Sequence, residues 1–352
     1  MALGPLVGSV GIIAAVALLL SRETGYQRPE RFVIVTSPGT RNVLWAPLPK
    51  FHDLTLKDRP IPDAQILIDG AASKCSGWAC IETSNHGLEE PAGLALYQKA
   101  GGKAWLYVSD PKVGFLYRYE VTSTWRNTLE AGPQELVASN LKDAAYWLAV
   151  DGFGNIFYTD AEAGTVSMIK AEDVSKSVPQ GRTVLSSEKM EKVAGPAGIA
   201  TDSTALYWAN LKGDRSTGTL VQARVEGSGN HSASILAGNQ DMYQAVVKDV
   251  CLAGDNVFFT GDGQSLFAVK ADGSSDVTEV AKLEQPKGCT FDQETTLFVA
   301  DQGSNGIYSL PANMNQLRRA SHVDKVASVR GPHQIAMFFG PSSNKFLQQL
   351  AG

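Results

Sequence analysis

Ala205-Leu206-Tyr207-Trp208-Ala209-Asn210 is an apolar, aromatic-rich run closed by a small polar residue, the composition of a strand that meets a turn. Close variants of it recur as Trp105-Leu106-Tyr107-Val108-Ser109-Asp110, Asn155-Ile156-Phe157-Tyr158-Thr159-Asp160, Asn256-Val257-Phe258-Phe259-Thr260-Gly261 and Thr296-Leu297-Phe298-Val299-Ala300-Asp301. Phe32-Val33-Ile34-Val35-Thr36-Ser37 is a further copy near the start. From Asp110 to Asp301 the closing positions advance by 50, 50, 51 and 40 residues. Self-similarity at such a period marks an array of supersecondary units.

A second element precedes these runs: Pro91-Ala92-Gly93-Leu94-Ala95, Trp147-Leu148-Ala149-Val150-Asp151, Pro196-Ala197-Gly198-Ile199-Ala200-Thr201-Asp202, Lys248-Asp249-Val250-Cys251-Leu252, Pro286-Lys287-Gly288-Cys289-Thr290-Phe291-Asp292 and Pro332-His333-Gln334-Ile335-Ala336-Met337. Aligned on residues 94, 148, 199, 250, 289 and 335, the six copies are spaced by 54, 51, 51, 39 and 46 residues. A third element follows each run, as in Gly164-Thr165-Val166-Ser167 and Gly218-Thr219-Leu220-Val221, and a weaker fourth is marked by Glu135-Leu136-Val137 and Thr278-Glu279-Val280. The unit is a four-stranded antiparallel blade. The sixth first strand, at 332–337, has almost nothing after it, whereas the strands at 32–37, 42–46 and 65–68 have no first strand before them. Together they complete one blade, and closing the ring this way removes an open sheet edge. The expected fold is an all-β six-bladed β-propeller over 32–341, ring closed by N- and C-terminal strands.

Composition agrees. Hydrophobic residues make up 43% and charged residues 19% of the 352, which is globular, and 34 glycines suit many tight turns. A net charge of −5 without a basic run argues against a nucleic-acid surface.

Residues 2–20 carry no charge and end in Ile12-Ile13-Ala14-Ala15-Val16-Ala17-Leu18-Leu19-Leu20, roughly long enough to cross a hydrocarbon core at about 1.5 Å per residue. A secretory signal would need a basic leader and a better cleavage site than Ala15-Val16-Ala17. The expectation is one N-terminal transmembrane helix at 1–21, a linker at 22–31 and a C-terminal tail at 342–352. Arg22, Arg28, Arg31 and Arg41 after the apolar run place the propeller on the cytoplasmic, matrix or stromal side by the positive-inside rule. A candidate disulfide between Cys75 and Cys80 and the sequon Asn230-His231-Ser232 point to the other side. Cys251 and Cys289 fall in core strands and are expected as buried free thiols. Cys75 and Cys80 have only His86 nearby as a further zinc ligand, too few for a metal site.

Asp110, Asp160, Asn210 and Asp301 recur once per blade, as turn-capping residues must, and are expected to be structural. From Ser37 to Asp110 the chain runs 73 residues, 23 more than a 50-residue repeat, so residues 69–90 form an insertion. It brings Trp78, His86, Glu89 and Glu90 to the face shared by the fourth-to-first and second-to-third connections. Trp147, Asp249, Lys287 and His333 are expected where first strands enter the central channel. These eight residues are the candidate interaction surface; no catalytic residue and no cofactor-binding residue is expected.

Leu206-Tyr207-Trp208-Ala209-Asn210 with Gly218-Thr219-Leu220 resembles the YWTD repeat of low-density-lipoprotein-receptor propellers. The phrase Pro196-Ala197-Gly198-Ile199-Ala200-Thr201-Asp202 is similar to NHL-repeat and gluconolactonase-like propellers. The resemblance covers roughly residues 32–340, and Asn210 and Gly261 depart from it where an acid is usual. It implies the propeller fold and leaves function open among receptors, scaffolds and lactonases. Gluconolactonase-like enzymes hold a divalent metal in the channel with Glu, Asn and Asp, to which Glu90, Asn210 and Asp249 correspond loosely.

The leading expectation is a non-catalytic, membrane-anchored accessory or scaffold subunit of a larger membrane assembly, respiratory or photosynthetic, in an organelle membrane. Its partners would be other membrane subunits. The alternatives are a membrane-tethered lactonase or arylesterase with a divalent cation in the channel, and a ligand-binding receptor-like propeller.

Overall fold

The computed structural model describes residues 30–48, 60–71, 87–99, 102–176, 181–211, 218–224, 233–238, 247–261, 263–312 and 315–340. The expected anchor, nearly all of the linker, the tail, and Cys75, Trp78, Cys80 and His86 lie outside the described residues. So does the sequon at 230–232. Among the described residues, no helix is long and apolar enough to cross a membrane.

Among the described residues the first elements are β1 (Arg31–Ser37), β2 (Asn42–Pro47) and β3 (Gln65–Asp69). Blade 2 holds β4 (Leu94–Gln98), β5 (Ala104–Asp110), β6 (Phe115–Ser123), β7 (Leu129–Ala131) and β8 (Glu135–Ala138). Blade 3 holds β9 (Leu148–Val150), β10 (Ile156–Asp160), β11 (Thr165–Ile169) and β12 (Arg182–Ser186). Blade 4 holds β13 (Pro196–Thr201), β14 (Ala205–Asn210), β15 (Leu220–Arg224) and β16 (Ala233–Ala237). Blade 5 holds β17 (Val247–Ala253), β18 (Asn256–Gly261), β19 (Ser265–Lys270) and β20 (Thr278–Lys282). Blade 6 holds β21 (Pro286–Phe291), β22 (Thr296–Asp301), β23 (Gly306–Pro311) and β24 (Asp324–Ser328). The last strand, β25 (Ile335–Phe339), pairs antiparallel with β1 and completes blade 1 in the order β25-β1-β2-β3. The fold is an all-β six-bladed propeller, closed by the two ends of the propeller chain.

Blade 2 differs from the expected four strands. β7 and β8 both pair with β6, so two short segments share the place of one outer strand. In every blade the pairing of the third strand with the fourth slips at the same level, from Val43/Leu44 in blade 1 to Ile307/Tyr308 in blade 6. A bulge adds local twist, and six in register give every blade the same outer curl.

The second strands explain why the repeat was legible. All six residues of Ala205–Asn210 are buried, because the blade is sandwiched between two neighbours. Leu206 and Trp208 pack with Phe157, Val166 and Met168 of blade 3, whereas Tyr207 and Ala209 pack with Val257, Phe259 and Phe267 of blade 5. The apolar core is divided accordingly into six clusters, one at each interface between adjacent blades.

Polar groups fix the register between blades. The hydroxyl just before the closing residue donates to a carbonyl in, or just before, the innermost strand of the next blade: Thr36 to Ala92 O (2.8 Å), Ser109 to Ala145 O, Thr159 to Ala197 O (2.7 Å) and Thr260 to Lys287 O (3.0 Å). Each such bond contributes about 1 kcal/mol net. At ring closure the Arg31 guanidinium meets the Asp292 carboxylate at 2.7 Å, buried between blades 1 and 6.

Cys251 and Cys289 are joined in a disulfide with Cα atoms 5.7 Å apart, which corrects the expectation of free thiols. The reason is that residue 251 in blade 5 and residue 289 in blade 6 face each other across one interface, a juxtaposition that sequence spacing does not reveal.

Innermost strands approach each other closely at Gly288. A methyl there would lie 2.8 Å from His333 O and 2.9 Å from Gln334 Cα, both backbone atoms, whereas Gly39 has open space. Gly288→Ala is therefore expected to destabilise the propeller by about 1–3 kcal/mol, and Gly39→Ala to be near neutral. Chemical denaturation of both variants checks this, and equal midpoints would overturn it.

Candidate functional site

The innermost strands contact one another in a closed cycle, β4, β9, β13, β17, β21, β25 and back to β4, around a central channel. Their aligned positions stack into layers. Towards one end, Leu94, Leu148, Ile199, Val250, Cys289 and Ile335, with Leu96, Val150, Thr201, Leu252, Phe291 and Met337, line a cavity of about 360 Å³. Aliphatic, aromatic and sulfur side chains of its wall are joined by the polar Thr201, Thr290, Gln293 and Gln334.

One residue earlier in each strand, the chain reads Gly93, Trp147, Gly198, Asp249, Gly288 and Gln334, so glycines alternate with large side chains around the ring. Trp147 of blade 3 packs against the core between blades 4 and 5 as well as against its own interface. Asp249 is 4% exposed. It sits in the layer that also holds Gln334 of blade 1. Burial pushes its pKa up to about 7 from 3.8.

The next layer out is Ala92, Tyr146, Ala197, Lys248, Lys287 and His333, at the mouth on the face of the closing turns. His333 Nδ1 lies 3.4 Å from Ala92 O. Burial and the ammonium groups of Lys287 and Lys248 push its pKa down to about 4, against the Ala92 carbonyl, so the imidazole is neutral at pH 7. Lys248, Lys287 and His333 are half-buried and occupy one aligned position on blades 5, 6 and 1.

The structure thus places Trp147, Asp249, Lys287 and His333 together at the channel. Glu89 and Glu90 stand outside it on the rim of blade 2. Their backbone N–H groups donate to the Asp110 carboxylate at 2.6 and 3.1 Å, and the Glu89 carboxylate pairs with Lys112 at 3.1 Å. The Lys112 bond and charge hold Glu89 below the usual carboxylate range. Trp78 and His86 lie outside the described residues.

The four recurring closing residues are engaged within their own blades. Asp160 accepts from the N–H groups of Glu162 and Ala163. The Asn210 amide bonds Ala194 N–H, Trp208 Nε1, Lys192 O and Thr219 Oγ1. Asp301 accepts from the N–H groups of Glu284 and Gln285 and from the Ser304 hydroxyl.

Glu90, Asn210 and Asp249, the loose counterparts of a metal-binding set, are not brought to one point: Glu90 is on blade 2, Asn210 is bonded inside blade 4, and Asp249 is buried in blade 5. Among the described residues, no group of three or more His, Cys, Asp or Glu is placed to hold a metal ion. Sequence reading missed Lys248 and Gln334. The aligned columns held the signal, since Lys248 shares its column with Lys287 and His333, and Gln334 shares its column with Asp249.

No protein-family model matches the chain, and no curated protein matches it in sequence. Among solved structures it is similar to a chain of a nidogen/laminin complex, with a TM-score of 0.59 at 14% identity over 88% of this chain and 98% of that one. It is also similar to a streptogramin B lyase (TM-score 0.45, 14% identity, 71% of this chain and 76% of that one). A third similar structure is a gluconolactonase from Xanthomonas campestris (TM-score 0.48, 10% identity, 71% and 83%). At these identities the likeness is one of fold alone, that of a β-propeller.

The Asp249 carboxyl makes stability depend on pH. Its folded pKa of about 7 stands above the ordinary 3.8, so its contribution is full below about pH 4 and is lost as pH rises towards 7. The stability of the native protein minus that of Asp249→Asn is expected to fall by a few kcal/mol between pH 4 and pH 8, at about 1.4 kcal/mol per unit of pKa shift. Denaturant titrations of both proteins across that range measure it, and parallel curves would contradict it.

Proposed function

We propose that this chain is a non-catalytic propeller, held at a membrane by its apolar N-terminal segment, that serves as an accessory or scaffold subunit of a larger membrane assembly. The observation that carries this reading is how the residues corresponding to a lactonase ligand set are used. Asp249 is buried among the innermost strands, and both ends of the Asn210 amide are bonded within its own blade and to the connection entering it, so the Asn210 amide is committed to holding the blade. A propeller of this kind offers partners its rigid faces.

The disulfide bears on sidedness. Cys251–Cys289 favours an oxidising compartment for the propeller. Two of the four arginines that argued for the opposite side belong to the fold: Arg31 is buried against Asp292, and Arg41 sits in the turn after Pro38–Thr40 with φ of 62°. Only Arg22 and Arg28 remain as flanking charges. This reading puts the propeller on the oxidising side of its membrane.

Gentle detergent extraction followed by sizing tests the role. The protein is expected to migrate with other subunits at a mass well above one copy in a micelle. Migration as a lone monomer, or recovery in the soluble fraction without detergent, would overturn the proposal.

A further inference from the structure

The connections of the propeller divide between its two faces. Second-to-third and fourth-to-first connections turn on the face of the closing residues, so first-to-second and third-to-fourth connections turn on the opposite face. The two aromatics among the exposed large hydrophobics of the described residues both stand there: Trp125, 88% exposed, between β6 and β7, and Phe153, 71% exposed, between β9 and β10. Both are held out by hydrogen-bonded turns. Around Trp125, Thr124 N–H donates to Thr128 O at 2.8 Å, Asn127 N–H donates to Thr124 O at 3.1 Å, and the Thr124 and Thr128 hydroxyls meet at 2.6 Å. β6 runs past the Ala104–Val121 pair that ends its ladder with β5, which carries Thr124 about 10 Å further along the strand at about 3.4 Å per residue. Around Phe153, the Asp151 carboxylate accepts from the N–H groups of Phe153 and Asn155, each at 2.9 Å, and from the Asn155 amide at 2.7 Å. A methyl on Gly154 would lie 3.3 Å from Tyr97 Cζ, so this turn of blade 3 abuts blade 2.

The chain enters the propeller on that same face. β1 ends at the closing face, so its first residue, Arg31, lies on the opposite one. Gly340 N–H donates to Glu30 O at 2.8 Å there, and the Gln98 amide at the end of β4 bonds both the carbonyl and the N–H of Phe339, at 2.7 and 3.1 Å. The Trp125 hairpin leans on the entering blade, since Leu129 of β7 shares an apolar cluster with Phe32 and Trp45 of blade 1. Before Glu30, the nine residues 21–29 lead back to the uncharged run 2–20, a reach of at most about 30 Å. The far half of the face differs: the connections of blades 4 and 5 on this side carry Asp202, Asp255, Asp272 and Asp276, all exposed.

We propose that this face docks on the lipid bilayer, with Trp125 and Phe153 seated at headgroup depth and the acidic turns of blades 4 and 5 left in water. A tryptophan suits that depth because its ring is apolar and its N–H is polar. Arg126 brings a cation to the same tip, its guanidinium 4.8 Å from the centre of the Trp125 ring. Two aromatics bind a bilayer weakly from solution, but a tether of this reach holds the face at a local concentration on the order of millimolar, where weak contact suffices. Docking in this pose rests on the reading that the apolar segment holds the chain at a membrane, and it adds which side of the propeller meets the lipid.

Tryptophan emission from the full chain in phosphatidylcholine vesicles, made with and without brominated acyl chains, tests this, because bromine quenches only rings that reach the lipid. Residues 1–29 contain no tryptophan, so quenching reports on the propeller. Brominated lipid is expected to remove about the share of one tryptophan among the six, and Trp125→Phe to abolish that loss. Phe153→Asp is expected to cut the quenching about twofold or more, with vesicle flotation and near-ultraviolet circular dichroism unchanged. Ile235→Asp, on the outer strand of blade 4, is expected to leave it unaltered. The proposal is overturned if chains that float with the vesicles are not quenched, if Trp125→Phe leaves the quenching in place, or if Phe153→Asp and Ile235→Asp behave alike. Chains that do not float overturn the attachment reading as well, whereas floating chains without quenching leave that reading standing. Absence of quenching together with loss of co-migrating subunits from Trp125→Ala in the sizing experiment would give the face to a protein partner instead.

Discussion

The structure depends on one constraint: every blade is buried on both faces, so no blade can bury its own apolar surface alone. Leu206 and Trp208 need blade 3, and Tyr207 and Ala209 need blade 5, and the same holds around the ring. A linear stack would leave two wet apolar faces at its ends. Closing the ring removes both, and the pairing of β25 with β1 does this with ordinary ladder hydrogen bonds. The Arg31–Asp292 pair sits at that seam, where removing one partner would strand a buried charge.

Closure also decides what the channel can be. Six innermost strands packed this tightly leave little room for side chains, and Gly93, Gly198 and Gly288 alternate with Trp147, Asp249 and Gln334. The glycines let neighbouring backbones touch, and the large residues fill the axis. A carboxyl placed there is largely removed from water, and for Asp249 that burial raises its pKa and favours the neutral acid.

The recurring acids show how one residue type can look functional and be structural. Asp110 and Asp301 each accept two backbone N–H groups from the connection entering their own blade, and Asn210 does the same work with an amide at both ends. Such a carboxylate terminates a strand and anchors the loop beside it. Repetition once per blade is the mark of that duty, since a metal site would need several of these groups at one point and the ring holds them apart.

The sequence by itself determined the blade, the number of blades and the way the ring closes, because these rest on periodicity, and a strand buried on both faces leaves an unbroken apolar run that any copy repeats. It also carried Trp147, Asp249, Lys287 and His333 to the channel, since aligned positions in a ring share a height. What only the tertiary structure decided is which residues meet across blade interfaces. The Cys251–Cys289 disulfide, the Arg31–Asp292 ion pair and the Thr159–Ala197 bond all join residues of different blades. Their partners are set by the angle and spacing between neighbouring blades, and that geometry comes from packing six apolar interfaces at once.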